Sequence, residues 1–212
     1  MKIGIIGSGA VAQTLAAGFL RHGHQVTMGT RDPGKLADWL AQNPAGRVAA
    51  VAEAARFGDV VVLAVKGSAA QGVVQSLGAG VLGGKVVIDT TNPIVDVPPV
   101  NGVLKFFTDL NESLMERLQA AVPAARFVKA FSCVGAPLMV DPGLKGGRPT
   151  MFICGNDADA RGTVREILHQ FGWDVEDLGA AEAARAIEPL CILWCIPGFR
   201  RNEWMHALKL VR

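Results

Sequence analysis

Lys2-Ile3-Gly4-Ile5-Ile6-Gly7-Ser8-Gly9-Ala10-Val11-Ala12 is the stretch whose reading decides the architecture of this 212-residue chain. Lys2 to Ile6 is a short, largely β-branched apolar run, and from Gln13 to Leu20 the apolar residues recur at helical spacing. The glycines between therefore join a strand to a helix. Gly7 permits the sharp turn, Gly9 leaves a pyrophosphate room against the backbone, and Ala12 lets the helix approach the strand closely. Gly7, Ser8, Gly9, Ala10 and Val11 thus form an anion cradle at a helix N-terminus, whose unpaired N–H groups point outward. An incidental glycine turn has the same composition. Placement between a strand and a helix, with a second strand at the expected distance, favours a dinucleotide site.

That second strand, Gln25 to Gly29, selects the nucleotide. An NAD site carries an Asp or Glu about 20 residues past the glycines to take the ribose hydroxyls, whereas a 2′-phosphate calls for cations and small donors. The strand runs into Gly29-Thr30-Arg31, with no acid at its tip. Arg31 offers a planar, charge-assisted contact to the phosphate, Thr30 a hydroxyl, and Lys35 follows one helical turn later. NADP(H) is the expected cofactor. The plainer alternative is that Arg31 and Lys35 belong to a solvated helix start, with Asp32 paired to Arg31.

Composition sets the outer bounds. With half its 212 residues hydrophobic and 19% charged, the chain is long enough to bury a sizeable core. A net charge of +2, with no basic stripe interleaved with aromatics, gives no case for nucleic acid. The opening runs straight into a strand, so no targeting peptide is expected. No uninterrupted apolar stretch reaches the ~18 residues of a membrane span. Cys133, Cys154, Cys191 and Cys195 form no CxxC pair; Cys191 and Cys195 share a helical face, with no His or second pair to complete a zinc site. Reduced cysteines in a core or interface, no metal, no membrane and a cytoplasmic location are the expectation.

Beyond the second strand, Asp32-Pro33 starts a helix to about Gln42, and Arg47 to Val51 and Glu53 to Phe57 read as a short strand and a short helix. The Val/Leu run Asp59 to Val65 has the continuity of a strand buried on both faces of a parallel sheet. A helix over Ala69 to Leu77, a Gly-rich loop, a buried strand over Lys85 to Asp89, a long loop from Ile94 to Asp109, a helix over Glu112 to Ala121 and a sixth strand over Arg126 to Phe131 follow. Ala136 to Val140 is a short helix; strands over Thr150 to Cys154 and Asp174 to Leu178 flank an amphipathic helix over Asp157 to Phe171. Two closing helices are expected, Ala181 to about Cys195 and Arg200 to Leu210, separated by Pro197-Gly198. The alternation predicts an α/β fold, a Rossmann-type doubly wound parallel sheet with a small C-terminal α/β extension. Residues 1–132 form the NADP-binding domain, and 133–212 complete the cleft and supply a dimer contact.

In such sheets ligands lie outside the carboxyl ends of the strands, where strand order reverses. With the pyrophosphate at Gly7 to Val11, the nicotinamide extends toward Val65 and Lys66, then Asn92 and Pro93, roofed by the turn from Phe131 to Ala136. Val65 is an apolar wall, and Asn92 bonds the ribose or carboxamide. Lys66 is the one candidate general acid; a lysine whose pKa is lowered by burial protonates a reduced carbonyl or imine, but one at a strand end is more often only solvated. The four histidines, 22, 24, 169 and 206, lie away from this site, and the chain has no tyrosine. Transfer of hydride between two bound rings needs alignment more than a strong acid.

Several stretches carry a family resemblance. They are Ile6-Gly7-Ser8-Gly9-Ala10-Val11, Gly29-Thr30-Arg31 with Lys35, Val62-Leu63-Ala64-Val65, Asp89-Thr90-Thr91-Asn92-Pro93, and Val128-Lys129-Ala130-Phe131 leading to Val134-Gly135-Ala136. Cys154-Gly155-Asn156-Asp157, Asp177-Leu178-Gly179 and Arg185-Ala186-Ile187-Glu188-Pro189-Leu190 complete the set. Across nearly its whole length the chain resembles the coenzyme F420-dependent NADP oxidoreductases and their bacterial relatives. The resemblance implies hydride passing between the nicotinamide and F420, or FMN or FAD, held in the cleft. By position, Ser8 to Val11 would contact the pyrophosphate, Thr30, Arg31 and Lys35 the 2′-phosphate, and Val65, Asn92 and Ala136 the nicotinamide half. The family commonly has Pro where this chain has Lys66, and many bacterial relatives have Asn where it has Ser132. The fold is similar also to the cytosolic reductase portion of the membrane metalloreductases.

Two other functions remain open at this point. Leu63-Ala64-Val65-Lys66 is similar to the pyrroline-carboxylate reductases, enzymes of imine or ketone reduction, which devote a longer all-helical segment to the substrate site than the two strands expected here. The lack of an acid or base also suits a non-catalytic NADP(H)-binding regulatory module. The apolar stretch Pro189 to Trp204, with Trp194, Ile196, Phe199 and Trp204, is expected to pack on the sheet and to join a homodimer.

Overall fold

A parallel six-stranded sheet is the centre of the computed structural model, which describes residues 1–212. It is built from β1 (Lys2–Ile6), β2 (Gln25–Gly29), β3 (Arg47–Ala49), β4 (Val60–Leu63), β5 (Val86–Asp89) and β6 (Arg126–Lys129), in the order β3-β2-β1-β4-β5-β6. The chain winds outward from β1 to β3, then crosses back to β4. Strand order thus reverses between β1 and β4, which opens a crevice at their carboxyl ends.

The unbroken Val/Leu/Ile runs follow from burial on both faces. Alternate residues Val60, Val62, Val86 and Ile88 enter one apolar cluster, while Val61, Leu63 and Val87 enter the other. The first cluster lies under α1 (Ala10–Arg21); the second lies under α3 (Val51–Phe57), α4 (Gly67–Leu82) and α5 (Leu114–Ala121). A tight 3-10 turn, Pro33–Leu36, leads into the short α2 (Ala37–Gln42), where one continuous helix from Pro33 was expected. α4 also runs past its expected end: Gly78 (φ 60°, ψ −175°) breaks the helical path, and a second helical piece continues to Leu82 in place of a loop.

The C-terminal part adds β7 (Thr150–Ile153) and β8 (Asp174–Asp177), a separate parallel pair joined through α6 (Ala158–Gln170). A single antiparallel bridge, Lys129↔Cys154, ties β6 to this pair. Met151, Ile153, Val164, Leu168 and Trp173 share one apolar cluster with Ile3, Leu15 and Phe19. The extension therefore packs on the α1 face of the main sheet.

The closing segment departs from expectation. Pro189 divides the helix expected over Ala181 to Cys195 into α7 (Ala184–Ile187) and α8 (Leu190–Arg201), because a proline ring cannot continue the preceding ladder. Pro197 does not end α8; Asn202 does, in the left-handed conformation (φ 55°, ψ 31°). Of the helix expected over Arg200 to Leu210, only Arg200 and Arg201 are helical, as the end of α8; residues 202–210 are not. Tertiary contacts hold that stretch extended against β7: Thr150 N donates to Leu208 O at 2.9 Å, and Leu210 N to Thr150 Oγ1 at 3.0 Å. Trp204 folds back over Gly198 and stands 5.6 Å from the Trp194 ring, whose Nε1 donates to His206 O at 2.8 Å. Two aromatics of the apolar stretch are thus used internally, while Leu193 and Phe199 remain exposed.

Candidate active site

At the end of β1, Gly7 turns the chain with φ +138°, a conformation that side chains resist, and a Cβ there would stand 2.1 Å from Ala64 O. Gly9 has nothing within 4 Å of where its Cβ would be. It is the N-cap of α1 and supplies no side-chain cap, so the first N–H groups of that helix, at Ala10 and Val11, have no side-chain partner; Ala10 and Val11 themselves lie outside the lining of the cleft in front of the turn. Gln13 Nε2 holds the Ser8 carbonyl at 2.9 Å, which fixes the loop from behind.

The crevice in front of this turn is a cleft of about 620 Å³. Gly7, Ser8, Gly9, Thr30, Arg31, Val65 and Lys66 line it, together with Val51 from α3 and Val73 and Ser76 from α4. Arg31 is exposed at the end of the cleft beyond β2. Asp32, its potential competitor, instead accepts from Gly34 N at 3.1 Å to cap the 3-10 turn. Thr30 is buried and its Oγ1 accepts from Asp32 N at 3.2 Å, so it shapes this corner from below. Lys35 is exposed on the turn beyond, outside the cleft lining.

Toward the other end the expected residues separate. Lys66 is 73% exposed and its Nζ meets Asp96 Oδ2 at 2.9 Å, so the burial that would make it a proton donor is missing. Asn92, Pro93 and Ala136 lie outside the cleft lining. Asn92 sits directly behind the start of α4: a Cβ at Gly67 would approach Asn92 O to 1.8 Å. Its Nδ2 donates to Ser132 O at 2.8 Å, while Asn92 Oδ1 and Ser132 Oγ are buried without partners. Ala136 opens the short 3-10 turn Ala136–Leu138, beside Gly135 and the Trp194 ring.

A buried ion cluster, none of whose members is among the expected site residues, joins β5, β6 and the segment between α7 and α8. Lys129 Nζ lies 2.7 Å from Asp89 Oδ2 and 2.8 Å from Glu188 Oε1, and all three side chains are essentially inaccessible. Burial alone would lower the Lys129 pKa, but the two carboxylates outweigh it and raise it above the ordinary lysine value. The signal was present: a lysine inside Phe127-Val128-Lys129-Ala130-Phe131 and a glutamate beside Ile187 and Pro189 are charges in apolar surroundings, which need partners. Burial also pushes the Cys133 and Cys154 thiols up to about 12, so they are not nucleophiles near neutral pH.

Residues 2–93 match the family model described as NADP oxidoreductase, coenzyme F420-dependent. A solved structure from Arthrobacter sp. FB24, provisionally assigned as an F420-dependent NADP-reductase, is 34% identical, with a TM-score of 0.93 and 100% of both chains covered. The chain belongs to the F420-dependent NADP oxidoreductase family. Membership makes it an oxidoreductase of the NADP-binding type, on the Rossmann-type fold described above. Metalloreductase STEAP3 of Rattus norvegicus is 30% identical over 200 residues, which are 92% of this chain but 38% of that protein. Human metalloreductase STEAP2 is 27% identical over 191 residues, 36% of its length. The chain thus spans less than two fifths of these relatives, and none of its helices is long and apolar enough to cross a membrane. An imine reductase of Streptomyces aurantiacus, 17% identical with a TM-score of 0.67 over 94% of this chain and 63% of its own, shares the fold.

The residues present fit the family's cofactor. An uncapped helix start behind open space suits a pyrophosphate, and a guanidinium free of its neighbouring carboxylate suits a 2′-phosphate.

Proposed function

We propose that this protein transfers hydride between NADP(H) and a deazaflavin of the F420 kind or a flavin, with the cleft between β1 and β4 as its site. One observation carries the reading: the cleft joins an anion cradle and a free Arg31 at one end to a wall of small and apolar groups, including Val65, at the other, where its one ionisable side chain, Lys66, is exposed and paired to Asp96. Such a site aligns two flat rings; it does not deliver a proton. The bound nucleotide supplies the hydride. In this reading the α1 N–H groups hold the pyrophosphate, Arg31 holds the 2′-phosphate with Lys35 as an outer charge, and Val65 backs the nicotinamide. Asn92 offers an acceptor at that end, Pro93 stiffens its turn, and Ala136 belongs to the roof. Support also comes from the family, whose solved member matches over its whole length.

Residues 1–132 carry the nucleotide in this proposal and residues 133–212 close the second-ligand side. The exposed Leu193 and Phe199 on α8 favour pairing of two copies. The test is to mix the protein with NADPH and, separately, with F420, FMN and a cyclic imine, and to follow the reduced-nicotinamide absorbance. Turnover with F420 or a flavin supports the proposal. Turnover with the imine alone, or NADPH binding with no turnover at all, refutes it.

A further inference from the structure

The Asp89–Lys129–Glu188 cluster has no task in the hydride-transfer reading, yet it is built into the turn that carries Asn92. The Lys129 ammonium donates to Thr91 O at 2.8 Å and forms ion pairs with Asp89 Oδ2 at 2.7 Å and Glu188 Oε1 at 2.8 Å. Asp89 Oδ1 in turn accepts from Thr91 N at 2.9 Å and from Thr91 Oγ1 at 2.7 Å. Every polar group of Thr91 is therefore held by the cluster, and Asn92 is the next residue. On the far side Glu188 accepts from Leu114 N at 2.9 Å and Met115 N at 3.0 Å, where the start of α5 offsets the surplus negative charge. Breaking one member of such a cluster costs much, but as a source of stability it does no better than apolar packing. What it provides is fixed geometry. The ends of β5 and β6, the start of α5 and the entry to α8 thus meet at the one lysine that holds the Thr91 carbonyl.

Asn92 shows what that geometry serves. Its Nδ2 is tied to Ser132 O at 2.8 Å and its Oδ1 is left as a buried acceptor without a partner, while its backbone carbonyl packs against Gly67, the residue next to the cleft-lining Lys66. A buried unpaired acceptor costs about 1–3 kcal/mol in general, so a donor that meets it is strongly selected. We propose that the Asp89–Lys129–Glu188 cluster is a positioning device that presets the Thr91–Asn92 turn, so that Asn92 Oδ1 accepts from a donor on the nicotinamide half of the bound nucleotide. The inference rests on the hydride-transfer reading and assigns that site a specificity element. Lys129, Asp89 and Glu188 act through Asn92 and do not touch the ligand.

The experiment compares affinities for NADPH and for 2′,5′-ADP, which carries only the adenosine half, in Glu188→Gln, Asn92→Ala and the double variant. Expected is 2′,5′-ADP binding within about twofold of the parent, NADPH binding weakened about tenfold, and a kcat loss larger than the rise in KM. The double variant should be no worse than Asn92→Ala alone, because the two side chains serve one contact. Parallel loss of both ligands, or fully additive effects, overturns the proposal. Lys129→Met is the severer variant; if it does not fold, the Glu188–Asn92 cycle decides. If the parent binds NADPH but reduces no acceptor, the hydride-transfer reading fails by itself, and the ratio of NADPH to 2′,5′-ADP affinity still tests the positioning.

Discussion

Replacing Arg31 by Ala should separate the two pyridine nucleotides. The guanidinium lines the cleft, is exposed, and is free of Asp32, which is occupied with Gly34 N. A charge-assisted contact of this kind is worth about 1.5–3 kcal/mol, and exposure places this one near the middle of that range. At about 2 kcal/mol the NADPH dissociation constant rises about 30-fold. NADH has no 2′-phosphate, so its affinity should change less than twofold. Lys35, further out and exposed, should add about threefold when also replaced. Calorimetric titration of parent and variants with both nucleotides, at low and moderate salt, measures each quantity. The NADPH loss should shrink as salt rises, because exposed charges are screened. Equal weakening of NADPH and NADH, or none for either, would refute the assignment of the 2′-phosphate to this corner.

The two glycines of the cradle should fail differently. Gly7→Ala forces a side chain into φ +138° and against Ala64 O, which should cost about 3 kcal/mol or more and lower the melting temperature by about 10 °C; Gly9→Val, facing open space, should melt with the parent yet lose NADPH binding. Glu116, whose carboxyl the Arg185 guanidinium holds down to about 2, contributes stability that is complete above its unfolded value near 4.5 and is lost as pH falls toward 2. Urea midpoints of the parent should therefore drop more steeply between those values than those of Arg185→Gln; identical profiles would dismiss the pair. Trp204→Ala removes the ring over Gly198 and should lower stability by about 1–2 kcal/mol. Hydrogen exchange at the Thr150 amide, which donates to Leu208 O, should quicken with it.

How much of this was legible depends on how far apart the cooperating residues lie. The glycine turn, the doubly buried strands and the Arg31 corner are local patterns, and all stand where the chain's own periodicity put them. The closing stretch, expected as a helix over Arg200 to Leu210, is instead shaped by contacts with Thr150, far back in the chain. Lys66 stood next to Val65 as expected, but only the folded loop brings Asp96 to it and leaves it in solvent. The ion cluster was hidden for the same reason. Asp89, Lys129 and Glu188 come from two strands and a helix junction, and no window along the sequence contains two of them.

The topology of the main sheet has a consequence for biosynthesis. No two neighbouring strands form a hairpin, and β1, at the centre, pairs on one side with β2 and on the other with β4, with Ile3 opposite Val60. A nascent chain that has not yet produced Val60 therefore holds the apolar strand β1 with one edge bare. Contacts so distant along the polymer form slowly, and an exposed edge invites association with other chains. Pausing of translation within the first sixty-odd codons should thus be the interval of greatest aggregation risk, closed once β4 docks and before β5 and β6 are made.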